Sequence, residues 1–231
     1  MKLSILIPAY NEESSIQQIL HEIKCVELST LGISEKEIIL IDDGSTDKTV
    51  EKAASILPKI KVVRHTKSRG KGASLASGMP LATGDIILIQ DADLEYSPSL
   101  YPLLLRPIME KNTSVVYGSR FMYKKHPENM KIANLVANIV GTGLINLLYG
   151  IHLTDSMTCF KVFKKEALKE LPLSCNGFGI DTELTAKVTK RGFKIKEVAI
   201  PYKARSFKEG KKFRPIYSLK VLWAIIRYTF I

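Results

Sequence analysis

The strongest constraint on how this chain can fold is a rhythm in its first half. Short runs rich in β-branched and other apolar residues, Leu3–Ile7, Glu37–Ile41, Lys61–Arg64 and Asp85–Ile89, alternate with stretches of helical period such as Ser15–Ile23 and Thr46–Leu57. Strands separated by helices enter one sheet through crossovers, which run them in the same direction. The expectation is an α/β fold with a mostly parallel central sheet and helices on both faces. Ligands of such sheets sit beyond the carboxyl ends of the strands, where the loops gather.

Each of those ends carries polar residues suited to a ligand. After the fourth run come Asp91-Ala92-Asp93, two carboxylates one residue apart that share a face of the strand end and can share a divalent cation. Hard oxygen ligands suit Mg²⁺ or Mn²⁺, ions that keep open positions for phosphate oxygens and water. Alone, Asp-x-Asp reads more readily as a strand terminator, because acidic residues are common at turns. After the second run, Asp42-Asp43-Gly44-Ser45-Thr46-Asp47 offers a tight turn at Gly44, capping residues in Ser45, Thr46 and Asp47, and two acids able to accept hydrogen bonds from a base or a ribose. Arg69-Gly70-Lys71-Gly72 before a helical stretch is a weak phosphate signal through Lys71, since it lacks P-loop spacing.

Charge divides the chain. Residues 1–115 carry 13 Lys/Arg and 15 Asp/Glu, a net of −2, whereas residues 116–231 carry 21 and 8, a net of +13. An anionic partner on the second half is implied: nucleic acid, an acidic membrane surface or a phosphorylated substrate. Nucleic acid is disfavoured, because no aromatic single-strand platform or recognition helix is recognisable and the acids of the first half would repel a phosphate backbone. Cys25, Cys159 and Cys175 lack metal spacing and fit reduced thiols in a cytoplasmic setting. No signal peptide is read at Met1–Ala9. Ile132–Ile151 is free of charge, but Asn134, Asn138, Asn146, Gly141 and Gly143 make it a poor isolated span and a better core or interface helix. No transmembrane domain is therefore expected. Val221–Tyr228 is short, amphipathic, basic and aromatic, as membrane-surface segments are.

Pro8-Ala9-Tyr10-Asn11-Glu12, Asp42-Asp43-Gly44-Ser45, Arg69-Gly70-Lys71-Gly72, Gln90-Asp91-Ala92-Asp93-Leu94-Glu95 and Gly118-Ser119-Arg120, in this order, resemble a family 2 glycosyltransferase. The likeness is closest to the dolichol-phosphate or polyprenyl-phosphate mannose and glucose synthases, and it covers nearly the whole chain. It implies one GT-A domain over 1–231, with 1–115 as the nucleotide-sugar half and 116–231 as the acceptor half. Carried over by position, Pro8, Ala9, Tyr10, Glu12 and Asp42 or Asp43 hold the nucleoside, with Lys71 near the phosphates. Asp91, Ala92 and Asp93 hold metal and diphosphate. Glu95, where many relatives have Gln, assists as a metal ligand. Arg120, Lys131, Arg205 and Lys211 take the acceptor phosphate, with Lys212 and Arg214 less clearly placed. Relatives often continue Trp-Arg-Asp-Gly where this chain has Phe213-Arg214-Pro215-Ile216.

The resulting expectation is an inverting hexosyltransferase that uses Mg²⁺ or Mn²⁺. It would move a sugar from GDP-mannose, or from UDP-glucose, to a polyprenyl phosphate at the cytoplasmic membrane face, docked there peripherally or by a separate membrane protein. Asp91, Asp93, Arg120 and Arg205 are its expected catalytic residues. A lipid phosphate is already anionic and needs no strong base, whereas a saccharide hydroxyl does. In that rival reading Asp155 or Asp181 is the base, although Asp181 equally suits a helix cap or an ion pair.

Overall fold

A computed structural model describes residues 1–110, 113–205 and 223–229. The strands are β1 (Lys2–Ala9), β2 (Glu35–Asp42), β3 (Lys61–Arg64), β4 (Ile86–Ile89), β5 (Val115–Ser119), β6 (Lys161–Lys164) and β7 (Ile195–Ala199). They form one sheet in the order β3-β2-β1-β4-β6-β5-β7. β1 pairs in parallel with β2 and β4, β2 with β3, and β5 with β7, while β6 runs antiparallel between β4 and β5. The mostly parallel sheet read from the sequence is thus present, with one reversed strand inside it.

The helices are α1 (Ile16–Cys25), α2 (Thr49–Ile56), α3 (Lys71–Gly78), α4 (Tyr101–Met109), α5 (Arg120–Tyr123), α6 (Ile132–Tyr149), α7 (Lys165–Leu168) and α8 (Ile180–Lys190). Successive strand residues point to opposite faces, and the two faces bury separate cores. On one side Leu3, Ile5 and Ile7 of β1 meet Ile16, Ile19 and Ile23 of α1, Ala53 of α2 and Leu104 and Ile108 of α4. On the other, Leu6, Ile39 and Ile41 meet Leu75 of α3 and, farther along, Ile180, Leu184 and Val188 of α8. Helix α2 begins at Thr49, later than the capping residues suggested, because Asp47 Oδ1 accepts from both the backbone N–H and the hydroxyl of Thr49.

Helix α6 is the exception to this layering. Its 18 residues are long and apolar enough to cross a membrane by length and composition, yet one side is bonded to the protein. Asn146 exchanges two hydrogen bonds with the backbone of Leu153, and Thr142 meets Ser156 at 3.0 Å. The other side leaves Ile132, Val136, Ile139 and Leu147 exposed, Leu147 at 79%. Two of the asparagines that made this stretch too polar for a lone span, Asn138 and Asn146, therefore attach it to the domain.

At the end of the sheet away from the strand carboxyl termini, Glu37 ties three elements together. It accepts from Ser4 of β1, from Lys61 of β3 and from both the N–H and hydroxyl of Thr83 ahead of β4. Burial opposes its ionisation, but these donors outweigh burial and pull its carboxyl down to about 2. Since the folded value lies below the unfolded one, the stabilisation is complete above about pH 4.5 and is lost as pH falls toward about 2. Glu37→Gln should cost about 2 kcal/mol at neutral pH, and the deficit should shrink toward zero near pH 2, as read by urea unfolding of both proteins.

Candidate functional site

Strands β1, β2 and β4 lie side by side, so their carboxyl ends bring Pro8–Glu12, Asp42–Asp43 and Asp91–Asp93 to one edge of the sheet. The first two loops are stitched to each other. Asn11 N–H donates to Ser45 Oγ at 2.9 Å, Thr46 N–H donates to Asn11 Oδ1 at 2.9 Å, and Glu12 N–H donates to Thr49 Oγ1 at 2.8 Å. Asn11 takes a left-handed backbone, φ 50°, a conformation that asparagine tolerates better than most residues.

The two adjacent acids have different surroundings. Asp42 is fully buried, accepting from Ser45 N–H and pairing with Arg64 Nε at 2.9 Å. Asp43 accepts from Ser68 Oγ and from the backbone N–H groups of Arg69 and Gly70, and lies 2.7 Å from His65 Nδ1. Burial raises its carboxyl, yet these donors outweigh burial and hold it below the ordinary value. Asp43 therefore fastens the glycine-rich loop to β2. That loop packs backbone to backbone against the segment before α8: Gly70 has φ 100°, and a Cβ on it would lie 2.4 Å from Asn176 O, while one on Gly72 would lie 1.9 Å from Cys175 O. Only glycine permits this approach.

These loops wall a cavity of about 1490 Å³ lined by Pro8, Ala9, Tyr10, Glu12 and Asp43 on one side, and by Lys71, Asp91, Ala92, Asp93 and Glu95 beneath. Lys71 Nζ meets Asp91 Oδ1 at 2.6 Å. Burial works against the Lys71 ammonium, but Asp91 outweighs it and holds the lysine charged; reciprocally, burial raises Asp91 and Lys71 brings it below its ordinary value. Asp93 pairs with Arg205 at 3.0 Å. Burial first, then neighbouring Asp91 and Glu95, push its carboxyl up to about 7 despite Arg205. Leu94 between the acids is left-handed at φ 45°, and the turn lets Glu95 N–H donate to Asp93 Oδ1. Glu95 accepts from Tyr202 Oη at 2.6 Å and from Arg205 N–H at 2.7 Å.

A divalent cation fits this set. The carboxylate oxygens are hard ligands, and burial together with the negative charge of Asp91 and Glu95 has lifted Asp93, a strain that a cation would relieve. Among the described residues no three acids, histidines or cysteines converge to hold an ion by themselves, so an ion on Asp91 and Asp93 would need its other ligands from phosphate and water.

On the far side of the cavity Arg120 opens α5. Its Nε and Nη2 clasp both oxygens of the fully buried Asp155 at 2.6 and 2.7 Å, and Nη2 also donates to Asn138 of α6 at 2.9 Å. Tyr202 stacks on the guanidinium, 5.1 Å from carbon to ring centre. Asp155 does not line the cavity. Asp181 does, in the first turn of α8, where buried Lys161 holds it at 2.7 Å. Of the two earlier alternatives for Asp181, the structure has the ion pair; the cap position is Gly179. Lys131 caps α6 away from the cavity lining, and Lys211, Lys212 and Arg214 lie outside the described residues.

Residues 4–172 match the family profile of glycosyl transferase family 2. The chain belongs to this family. Among relatives of this family 2 glycosyltransferase, a dolichol-phosphate mannosyltransferase of Pyrococcus furiosus is 30% identical over 217 residues, covering 91% of this chain and 59% of that protein. A UDP-N-acetylglucosamine–dolichyl-phosphate N-acetylglucosaminyltransferase of Methanococcus voltae is 26% identical, covering 86% and 84%. An uncharacterised protein of Methanocaldococcus jannaschii is 28% identical over 230 residues, 97% of this chain and 91% of that one. The fold is GT-A: the crystal structure of glucosyl-3-phosphoglycerate synthase from Mycobacterium tuberculosis with UDP superposes at a TM-score of 0.74 and 23% identity, covering all of this chain and 80% of that one.

Several residues of this family 2 site gave no signal in the sequence. Arg64, His65, Lys161 and Tyr202 stand outside the motifs and join the site only through the sheet and the 201–205 crossing. Lys161 opens a four-residue strand, Lys161–Lys164, that a second lysine closes, and no local pattern marks which of the two is buried. Because the raised value of Asp93 makes the metal-free fold bind an extra proton, stability conferred by that proton is lost as pH rises from about 4 to about 7. The stability of Asp93→Asn relative to the parent should therefore improve across that interval and level off above it, in thermal melts of metal-free protein. Adding Mn²⁺ should favour the parent alone.

Proposed function

We propose that the protein transfers a hexose, with mannose favoured, from a nucleoside-diphosphate sugar to a polyprenyl phosphate at the cytoplasmic face of a membrane, with inversion at the anomeric carbon. One observation carries the choice of acceptor: the cavity changes character along its length. Acids and cations line the end at Asp91. At the other end Val140, Gly141 and Leu144 of α6 face Trp223 and Ile225 of the 223–229 helix, and the trough between these helices adjoins exposed Val136, Ile139, Trp223 and Ile226. A ligand with an anionic head and an apolar tail matches this gradient. GDP-mannose is the favoured donor and UDP-glucose the second; the name of the Pyrococcus relative supports the first, and the UDP-bound synthase structures support the second.

Asp91 and Asp93 would hold Mg²⁺ or Mn²⁺. Such an ion, when bound, offsets the charge that develops on the departing diphosphate. Lys71, kept cationic beside Asp91, adds a fixed positive charge near the same oxygens. Pro8 to Glu12 and the Asp43-anchored loop shape the nucleoside end. Arg120 and Arg205 hold cationic charge on the acceptor side, where an attacking phosphate oxygen must be brought against another anion. Neither suggested base is poised to accept a proton, Asp155 being clasped by Arg120 and Asp181 by Lys161. That favours an acceptor that arrives already ionised. Cations flanking α6, among them Lys124, Lys125 and Lys131, would meet anionic headgroups as its apolar side enters the interface.

A screen of GDP- and UDP-hexoses with a short polyprenyl phosphate and Mn²⁺, following release of nucleoside diphosphate, should find turnover with at least one donor; none with any would overturn the reading. Asp181→Asn should lower turnover by less than about tenfold, whereas loss of a true general base costs about 10²–10⁴-fold. Replacing Val136 and Ile139 together by Glu should abolish flotation with anionic vesicles while leaving release from a soluble short-chain acceptor within about threefold of the parent.

A further inference from the structure

The chain leaves β7 and crosses the carboxylate cluster at Tyr202 and Arg205. Glu95 anchors the crossing: its two oxygens accept from Arg205 N–H and from the Tyr202 hydroxyl. The guanidinium reaches past Glu95 to Asp93 Oδ2 at 3.0 Å and to the two carboxylate oxygens of Glu12 at 3.2 Å each. Its third nitrogen, Nε, is buried and has no acceptor among the described residues. Arg205 thus lies where charge draws it without a complete set of oxygens around it. A guanidinium makes its best contacts as a fork on a phosphate or carboxylate, and the orphaned Nε–H marks one arm of that fork left open.

We propose that Arg205 is a stand-in cation for the metal. In the empty protein it offsets the charge of Asp93; loading of the metal with the donor displaces it, and the freed guanidinium then turns its open fork to the phosphate of the acceptor. Two cations on one carboxylate oxygen repel, so Arg205 and a divalent ion exchange at Asp93 rather than share it. Because Glu95 keeps the Arg205 N–H and the Tyr202 hydroxyl, the exchange needs only rotation of the Arg205 side chain, and the crossing stays pinned. Glu95 is accordingly a positioning residue for the crossing. The consequence is order: the acceptor phosphate gains its arginine only after the donor is in place, and by reciprocity acceptor binding tightens donor binding. This sequence rests on the reading of Asp91 and Asp93 as the metal ligands proposed above.

The test uses Mn²⁺ alone as probe, with free Mn²⁺ followed by its electron paramagnetic resonance signal, without donor or acceptor. Arg205→Gln should bind Mn²⁺ about tenfold more tightly than the parent, Arg205→Lys should stay within about threefold of it, and Glu95→Gln should bind at least as tightly as the parent. In calorimetry, a short prenyl phosphate should bind the parent about tenfold more tightly once Mn²⁺ and nucleoside diphosphate are present, and Arg205→Gln should lose that enhancement. Unchanged or weaker Mn²⁺ binding by Arg205→Gln, while Asp93→Asn abolishes binding, would overturn the exchange and leave the metal reading standing. Mn²⁺ binding that survives Asp93→Asn in both backgrounds would overturn both.

Discussion

Negative charge gathered at the carboxyl ends of parallel strands is the constraint around which this molecule is arranged. The sheet brings Asp42, Asp43, Asp91 and Asp93 to one edge, and burial there is costly unless each finds positive charge or hydrogen-bond donors. Asp42 has Arg64, Asp91 has Lys71, Asp93 has Arg205, and Asp43 has two backbone amides with Ser68 and His65. Much of the local architecture follows from supplying those partners. The glycine-rich loop is where it is because Asp43 ties it down, and the 201–205 crossing is where it is because Glu95 and Asp93 do the same from below. The acid that remains poorly compensated is Asp93, whose carboxyl burial and neighbouring acids push up despite Arg205.

The first half of the fold was legible because a strand buried on both faces must be a largely apolar run, as in β1 and β4, and because even the edge strand β3 keeps a β-branched pair, Val62 and Val63, between its charged ends. β6 and β7 were not: Lys161–Lys164 is four residues bounded by lysines, and Ile195–Ala199 alternates with charges. Lys161 is buried inside that strand only because Asp181 of a distant helix neutralises it, a tertiary compensation that has no local pattern. The motif residues were legible as a set, since their order and spacing carried the family, but their individual tasks were not. Asp43 read as a nucleoside contact and is engaged as a loop anchor. Glu95 read as a metal ligand and has both oxygens on Tyr202 and Arg205. Side chains of one motif can face different neighbours, and the sequence lists residues without their directions.

Arg120 illustrates a second kind of compensation. A buried guanidinium clasped by Asp155, bonded to Asn138 and stacked on Tyr202 is fixed in direction, so it offers a rigid cationic wall. Arg205, by contrast, holds two acids at longer distances, and among the described residues its Nε has no acceptor. The two arginines therefore differ in how fully their guanidinium groups are engaged, Arg120 being locked into the frame and Arg205 less so. Asn138 also connects the frame to α6, so the helix with the exposed apolar side is registered to the phosphate end of the cavity by a direct hydrogen bond.

The stitching of Asn11 to Ser45 and Thr46, and of Glu12 to Thr49, couples two loops that are far apart in the chain. Each supplies the other's missing donors and acceptors, so neither has a stable shape of its own to hand on. Grafting one of them from a relative with a different nucleotide preference would leave its partner's amides unmatched. The pair is the smallest exchangeable unit, and divergence of donor choice in proteins built this way has to proceed through matched changes in both loops.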